Sequence, residues 1–191
     1  MVQQLGDLEY QHERNSHRPT DRYGGLKVVE GNFENTMEVY MMNKTIYLAY
    51  GSNLNLEQMA HRCPTAELIG TAVLRDYQLL FRGGHGVAVA TVEPCEGESV
   101  PVLLWDIQPK DELSLDRYEG VPYLYRKEYK MVEFKGKPVQ VMLYIMNEGR
   151  PLATPNAYYY TTIREGYKDN GFDEQVLKQA VLDSLETDLV E

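Results

Sequence analysis

Two short stretches of this sequence hold residue types that could do chemistry together. The first is Tyr50-Gly51-Ser52-Asn53-Leu54. It follows a short apolar run, Thr45-Ile46-Tyr47-Leu48-Ala49, and precedes a segment with a helical pattern. A strand that ends in Gly-Ser and opens onto a helix exposes backbone N–H groups, and such groups can hold an anion. The same residues also suit a plain tight strand-to-helix turn. They are not a phosphate loop, because the second glycine and the Lys-Ser/Thr pair are missing. The second stretch is Leu115-Asp116-Arg117-Tyr118-Glu119-Gly120-Val121. Glu119 falls where a helix should end. A carboxylate there faces the partial negative charge of the helix C-terminus, which raises its pKa, and partial burial would raise it further. A carboxyl group tuned in this way can take up and return a proton near neutral pH. Taken alone, Glu119 reads equally as an exposed acid at a helix end.

Other constellations fail. Ser52 lacks the Gly-x-Ser-x-Gly setting of a nucleophile elbow. His12, His17, His61 and His85 have no metal-ligand spacing. Cys63 and Cys95 make neither a metal motif nor a disulfide framework, and they read as free thiols of a reducing compartment. A cytoplasmic location is the matching expectation. No metal or organic cofactor is implied. There are 15 tyrosines against 4 phenylalanines and 1 tryptophan. A phenol combines an apolar ring with a polar tip, which suits a wet pocket as well as a half-exposed sheet. The run Tyr158-Tyr159-Tyr160 reads as a half-buried helix from which one hydroxyl could enter a pocket.

The elements that must position these residues follow from periodicity and turn chemistry. A strand is expected over 45–50. Asn55 can cap a helix over 56–62, with Gln58 in the reciprocal capping position and Pro64 enforcing the stop. Strands are expected over 68–74, 77–81, 87–92 and 100–107, with residues 93–98 as a hairpin turn. Pro109 opens a helix to about 118, and residues 119–122 break it. Strands over 123–134 and 139–146 form a further hairpin. A helix over 156–165 should be closed by Gly166, and Asp173 should cap a last helix. Its apolar residues Val176, Leu177, Ala180, Val181 and Leu185 follow a 3.6 period. Hairpins with helices between and after them argue for an α+β fold.

The whole chain has 191 residues, a formal charge of −10, 43% hydrophobic and 25% charged residues. One domain with an ordinary core is expected. No apolar run reaches the ~20 residues of a membrane span, and the N-terminus has no signal-peptide apolar region. The acidic balance argues against nucleic-acid binding. Residues 1–43 differ from the rest. They are polar and crowd His12, His17, Arg14, Arg18 and Arg22 together. They read as an N-terminal extension, with a short hairpin over 26–30 and 36–42, ahead of a domain over 44–191.

The joint occurrence of the two motifs, in this order and about 65 residues apart, resembles the γ-glutamylcyclotransferase (AIG2-like) family. That family is similar in carrying Tyr-Gly-Ser-Asn-Leu after the first barrel strand, then Leu-Asp-x-x-Glu-Gly-Val, then a Tyr-Arg pair. Here these are Tyr50-Gly51-Ser52-Asn53-Leu54, the stretch 115–121, and Tyr125-Arg126. Leu68-Ile69-Gly70-Thr71-Ala72 and the strands over 77–81 and 100–107 also match. The resemblance covers residues 45–185 and implies a small mixed β-barrel of about six or seven strands flanked by helices.

The resemblance implies an intramolecular reaction. The α-amine of a γ-glutamyl compound attacks its own γ-carbonyl, giving 5-oxoproline and a released amine. It implies Glu119 as general base and then acid, and the backbone of Gly51, Ser52 and Asn53 as the holder of a carboxylate or oxyanion. Tyr50, Leu54, Tyr125, Tyr144 and Tyr159 complete the implied substrate site, with Tyr158 and Tyr160 competing for the place of Tyr159. Ser-Asn after the glycine resembles the branch acting on γ-glutamyl amino acids. The partner implied is a small γ-glutamyl substrate, and a homodimer stays open. Two alternatives stand beside this reading. One is a non-catalytic carboxylate-binding module on the same fold. The other is a cyclotransferase acting on γ-glutamylamines.

Overall fold

The computed structural model describes residues 45–185. The expected N-terminal hairpin, and all of residues 1–43, lie outside the described residues. Within them, five strands and four α-helices follow one another. The strands are β1 (Thr45–Ala49), β2 (Glu67–Arg82), β3 (Val89–Ile107), β4 (Tyr125–Phe134) and β5 (Lys137–Met146). The helices are α1 (Leu56–Arg62), α2 (Pro109–Tyr118), α3 (Ala157–Asp169) and α4 (Glu174–Leu185). The α+β class is as expected.

The strands make one sheet in the order β2-β3-β1-β5-β4. β1 lies at its centre. It runs antiparallel to β3, from Thr45 opposite Ile107 to Ala49 opposite Leu103. Its other edge is parallel to β5, with Tyr47 opposite Met142. A central strand is covered on both faces, which explains why β1 is buried and apolar from Ile46 to Ala49 rather than alternating. Leu48, Leu103, Leu104, Leu143, Leu115, Ile163 and Leu177 form the fully buried core between sheet and helices.

The expected closed barrel is corrected: the sheet is open, with β2 and β4 as its edges. These edges meet through side chains rather than a ladder. A Cβ on Gly70 of β2 would lie 3.3 Å from the Phe134 ring of β4. Lys130 Nζ of β4 stands 5.8 Å from the centre of the Tyr77 ring of β2. The strand count also falls below expectation, because 68–74 joins 77–81 and 87–92 joins 100–107. The supposed turn at 93–98 is not a hairpin. The β2–β3 register jumps from Arg75 opposite Ser99 to Tyr77 opposite Pro94, so Asp76 faces residues 95–98. The turn chemistry is present but is absorbed as a wide bulge inside one long hairpin. Asp76 adopts a left-handed φ of 59°, and its Oδ1 accepts from the Gly97 N–H at 3.0 Å.

The helix caps follow the sequence with two exceptions. Asn55 Oδ1 accepts from the Gln58 N–H at 3.0 Å, but the Gln58 side chain does not reciprocate. Its Oε1 accepts from Arg62 Nη2 at 2.8 Å instead. Gly166 does not close α3, which continues to Asp169. It lies inside the helix where the helix crosses the loop after β1. A Cβ there would be 2.6 Å from the Leu54 carbonyl carbon and 2.8 Å from the Asn55 nitrogen. Glycine is required by that close approach rather than by a turn. Asn170 makes the stop, and its Nδ2 donates to Leu54 O at 3.2 Å. Asp173 caps α4 as expected, accepting from the Gln175 N–H at 2.9 Å. Among the described residues no helix is long and apolar enough to cross a membrane.

Candidate active site

At the end of β1 the chain leaves the sheet at Tyr50, turns through a short 3-10 segment over Ser52–Leu54, and enters α1. The Asn55 cap and the Gly166 crossing hold that turn from two sides. A 3-10 turn leaves its first N–H groups without partners inside the turn. Glu119 arrives from elsewhere in the chain, as the residue that ends α2; its N–H donates to Leu115 O at 2.8 Å. Gly120 follows with a φ of 64°, a left-handed conformation that lets the chain turn away directly after the carboxylate. Asn53 joins the two segments. Its Nδ2 donates to Glu119 Oε1 at 3.3 Å and to the Tyr47 hydroxyl at 2.8 Å.

These groups surround a cavity of about 220 Å³. Of the residues singled out in the sequence, Tyr50, Gly51, Ser52, Asn53, Glu119, Tyr125, Tyr144 and Tyr159 line it. Leu54 does not. Its side chain is fully buried in the core beneath the loop. The competition among the three consecutive tyrosines is resolved by helix geometry. Tyr158 points outward at 76% exposure, Tyr160 packs on the core, and Tyr159 lines the cavity. The Tyr159 hydroxyl accepts from the Ala90 N–H at 3.2 Å.

Sequence reasoning did not assign Tyr47, Tyr118, Val89, Ala90 and Leu124 to the lining. It also passed over Arg62, which stands behind the loop. Arg62 Nη1 donates to Ser52 Oγ at 3.0 Å and to Asn53 Oδ1 at 2.5 Å. Its Nη2 donates to the Tyr118 hydroxyl at 2.6 Å, and the guanidinium lies 3.7 Å from the centre of that ring. The Gln58-to-Arg62 spacing of one helical turn was a usable signal, as was the adjacency of Tyr118 to Glu119. Nothing local marks Val89, Ala90 or Leu124, which arrive through strand pairing and chain folding.

The electrostatics favour a proton carrier. Burial raises the Glu119 carboxyl to about 7, while the Arg62 guanidinium and the Asn53 amide pull it back down. Burial, which the sequence suggested beside the helix end, is the largest cause. Burial likewise holds the Tyr47, Tyr50, Tyr125, Tyr144 and Tyr159 phenols well above the ordinary tyrosine value. Among the described residues Ser52 has no base beside it. Its Oγ contacts Arg62 and, at 3.4 Å, the Tyr118 hydroxyl. Cys63 and Cys95 are free thiols, and burial pushes Cys63 up to about 12, which makes it inert. The cavity thus combines a carboxyl whose pKa is raised by burial with polar hydroxyls and the 51–53 turn, and among the described residues no activated nucleophile lines it.

The chain is similar to known proteins over most of its described residues. Residues 47–166 match the family described as gamma-glutamyl cyclotransferase, AIG2-like. A human gamma-glutamylcyclotransferase is 32% identical over 136 residues, which span 66% of this chain and 71% of that protein. A mouse gamma-glutamylcyclotransferase is 30% identical over 142 residues, which span 68% and 73% respectively. A solved structure of a gamma-glutamyl cyclotransferase superposes with a TM-score of 0.63 at 28% identity, covering 72% of this chain and 86% of that one. The chain belongs to the gamma-glutamyl cyclotransferase, AIG2-like family.

Proposed function

We propose that this member of the family is a cyclotransferase that converts a small γ-glutamyl compound, a γ-glutamyl amino acid foremost, to 5-oxoproline and a free amine. The observation that carries this reading is Glu119. Among the described residues lining the cavity it is the one carboxyl group, it is half-buried, and its pKa is raised to about 7. A group that spends comparable time protonated and ionised at neutral pH suits a reaction that needs a base and then an acid.

The chemistry is a ring closure. The substrate's α-ammonium gives a proton to the Glu119 carboxylate. The freed amine attacks the γ-carbonyl carbon, forming the new C–N bond and an oxyanion. Collapse of that intermediate breaks the original amide C–N bond, and Glu119 returns the proton to the departing nitrogen. In all, two protons leave the α-ammonium and two reach the released amine, so the carboxyl ends as it began. Attacker and target belong to one molecule, and holding them in contact geometry can supply several kcal/mol of the barrier. The N–H groups of the 51–53 turn are the reading's anion site. No covalent intermediate is needed, in keeping with the lack, among the described residues, of a base beside Ser52.

Asn53 supports the amino-acid branch. Its amide joins Arg62, Tyr47 and Glu119 through one acceptor and two donors, which a leucine there would not do. The test is release of 5-oxoproline from γ-glutamyl dipeptides, γ-glutamylamines and glutathione, with Glu119→Gln alongside. Release from a dipeptide that vanishes in the variant is the expected result. Retention of more than a few per cent of the rate by Glu119→Gln would remove that residue as the proton carrier. A folded protein that releases nothing would point to a carboxylate-binding module.

A further inference from the structure

One face of β4 changes character along its length. Side chains two apart in a strand share a face, so Phe134, Val132, Lys130, Glu128 and Arg126 point the same way. At the end of the strand this face is apolar. Phe134 and Val132 are buried, and a Cβ on Gly70 of β2 would touch the Phe134 ring. From Lys130 back to Arg126 the same face is ionic, and there it borders a second cavity, of about 440 Å³. This cavity shares no lining residue with the one around Glu119. Ala90 lines the first and Val92 the second. Between them the Thr91 hydroxyl ties β3 to β5, accepting from the Met146 N–H at 3.1 Å.

The second cavity has an apolar floor and charged walls. Val92, Ile145 and Met146 are buried beneath it, and the Tyr77 ring faces Lys130 Nζ. Its cations are Arg82, Arg126, Lys130 and Arg150, and its acids are Glu93, Glu128 and Glu148. Positive charge is in excess there, although the chain as a whole carries −10. Arg82 is matched by one acid. Its Nη2 donates to Glu93 Oε2 at 3.0 Å, and its Nη1 donates to the Arg150 carbonyl at 2.9 Å. Glu128 serves two cations at once. Its Oε1 accepts from Arg126 Nε at 2.9 Å, and its Oε2 lies 2.8 Å from Lys130 Nζ. Lys130 foremost, and Arg126 with it, hold the Glu128 carboxyl below its ordinary value, and Glu128 raises Lys130 in turn. All three are therefore ionised at neutral pH, with one positive charge left over. Arg150 and Glu148 are exposed on the loop after β5 and have no ion-pair partner among the described residues. Half-buried cations lose hydration, and one carboxylate shared between two of them compensates only one.

We propose that this cavity is a second binding site, separate from the one around Glu119, for a small organic anion. A carboxylate or phosphate head meets Lys130, Arg126 and Arg150, and an apolar body rests on Tyr77, Val92 and Ile145. The proposal goes beyond the cyclotransferase reading and does not depend on it. The volume lies within the range of small-molecule sites. Guanidinium and ammonium groups accept either head, so both sources share one chemistry. A cationic ligand is refused by the same excess of positive charge.

Three probes with one aromatic ring test it. Phenylacetate carries a carboxylate, phenyl phosphate a phosphate, and benzylamine a positive charge. Their binding to the full chain is measured by titration calorimetry at low and at high salt. At least one of the two anions should bind, more weakly at high salt, and benzylamine should not. The tighter of the two anions names the head group, and either order supports the proposal. Lys130→Gln should weaken the anion about fivefold or more. Arg150→Gln, on an exposed loop, should do the same and serves alone if Lys130→Gln does not fold. Glu119→Gln should leave the affinity within about twofold. Failure of both anions to bind a folded wild-type protein at millimolar concentration would overturn the proposal. So would equal binding of benzylamine, or binding untouched by both cation substitutions. Tighter anion binding by Glu119→Gln would overturn it too, because the anion would then lie in the first cavity.

Discussion

Gly166→Ala tests whether α3 positions the site as the structure indicates. The added Cβ would lie 2.6 Å from the Leu54 carbonyl carbon, 2.7 Å from Leu54 Cβ and 2.8 Å from the Asn55 nitrogen. Ordinary contact begins near 3.4 Å, so helix and loop must separate by about 0.8 Å, the difference between 3.4 and 2.6. The obstacle is mostly backbone, which cannot rotate away. Overpacking of this kind costs about 1–3 kcal/mol, offset by up to ~1 kcal/mol of helix propensity. A net loss of about 1–2 kcal/mol should lower Tm by roughly 3–6 °C. The larger effect should be on turnover. Tyr159 lies two turns before Gly166 on the same face of α3, and its hydroxyl sits 3.2 Å from the Ala90 nitrogen. Moving the helix away from the loop moves Tyr159 relative to Gly51. A misplacement near 1 Å can cost on the order of 100-fold in rate, so kcat/KM for 5-oxoproline release should fall about 10- to 100-fold. Gly171→Ala is the control. It has a φ of 68° and open space around it, so it should lose stability through backbone strain while keeping its kcat/KM. Full activity in a folded Gly166→Ala, or an equal loss of activity in Gly171→Ala, would refute the reasoning.

Three further outcomes follow from Glu119 and its neighbours. With Glu119 as the proposed base and a pKa of about 7, kcat/KM should rise with pH and level off above neutrality, with a limb of slope one; a flat profile between pH 5 and 8 would contradict it. Arg62→Gln removes a charge that holds the Glu119 pKa down, so the limb should move to higher pH, and activity lost at pH 7 should partly return at pH 8. A variant equally impaired at both values would show that Arg62 acts only by shaping the loop. Finally, the folded carboxyl keeps its proton to about pH 7, whereas an unfolded Glu releases it near pH 4.3. Its contribution to stability is therefore full below the unfolded value and lost as pH rises through about 7. Thermal melts at pH 8 should show Glu119→Gln to be more stable than wild type by up to about 4 kcal/mol, with the gap closing by pH 4.

The sequence alone determined the kinds of element and the two places where chemistry could sit. Those signals are local. Asn55 and Asp173 cap helices through their own side chains, β1 is apolar from Ile46 to Ala49 because a central strand is covered on both faces, and Gly120 turns the chain after Glu119 whatever surrounds it. Local chemistry can also mislead. The 93–98 turn residues became a bulge because β2 was long enough to pair past them, and Gly166 looked like a helix stop because only its distant neighbours reveal the crossing at Leu54 and Asn55. The open sheet was equally beyond local reading, since closure depends on whether β2 and β4 come within hydrogen-bonding distance of each other. Tertiary structure decided how the site residues are disposed. It buried Glu119 enough to raise its pKa, brought Arg62 behind Asn53 to set the direction of an amide, and chose Tyr159 over its neighbours by the phase of a helix. It also divided the tyrosine hydroxyls into donors and acceptors around the Ala90 peptide. Burial and hydrogen-bond direction are properties of what surrounds a residue, and those surroundings are assembled only when distant segments meet.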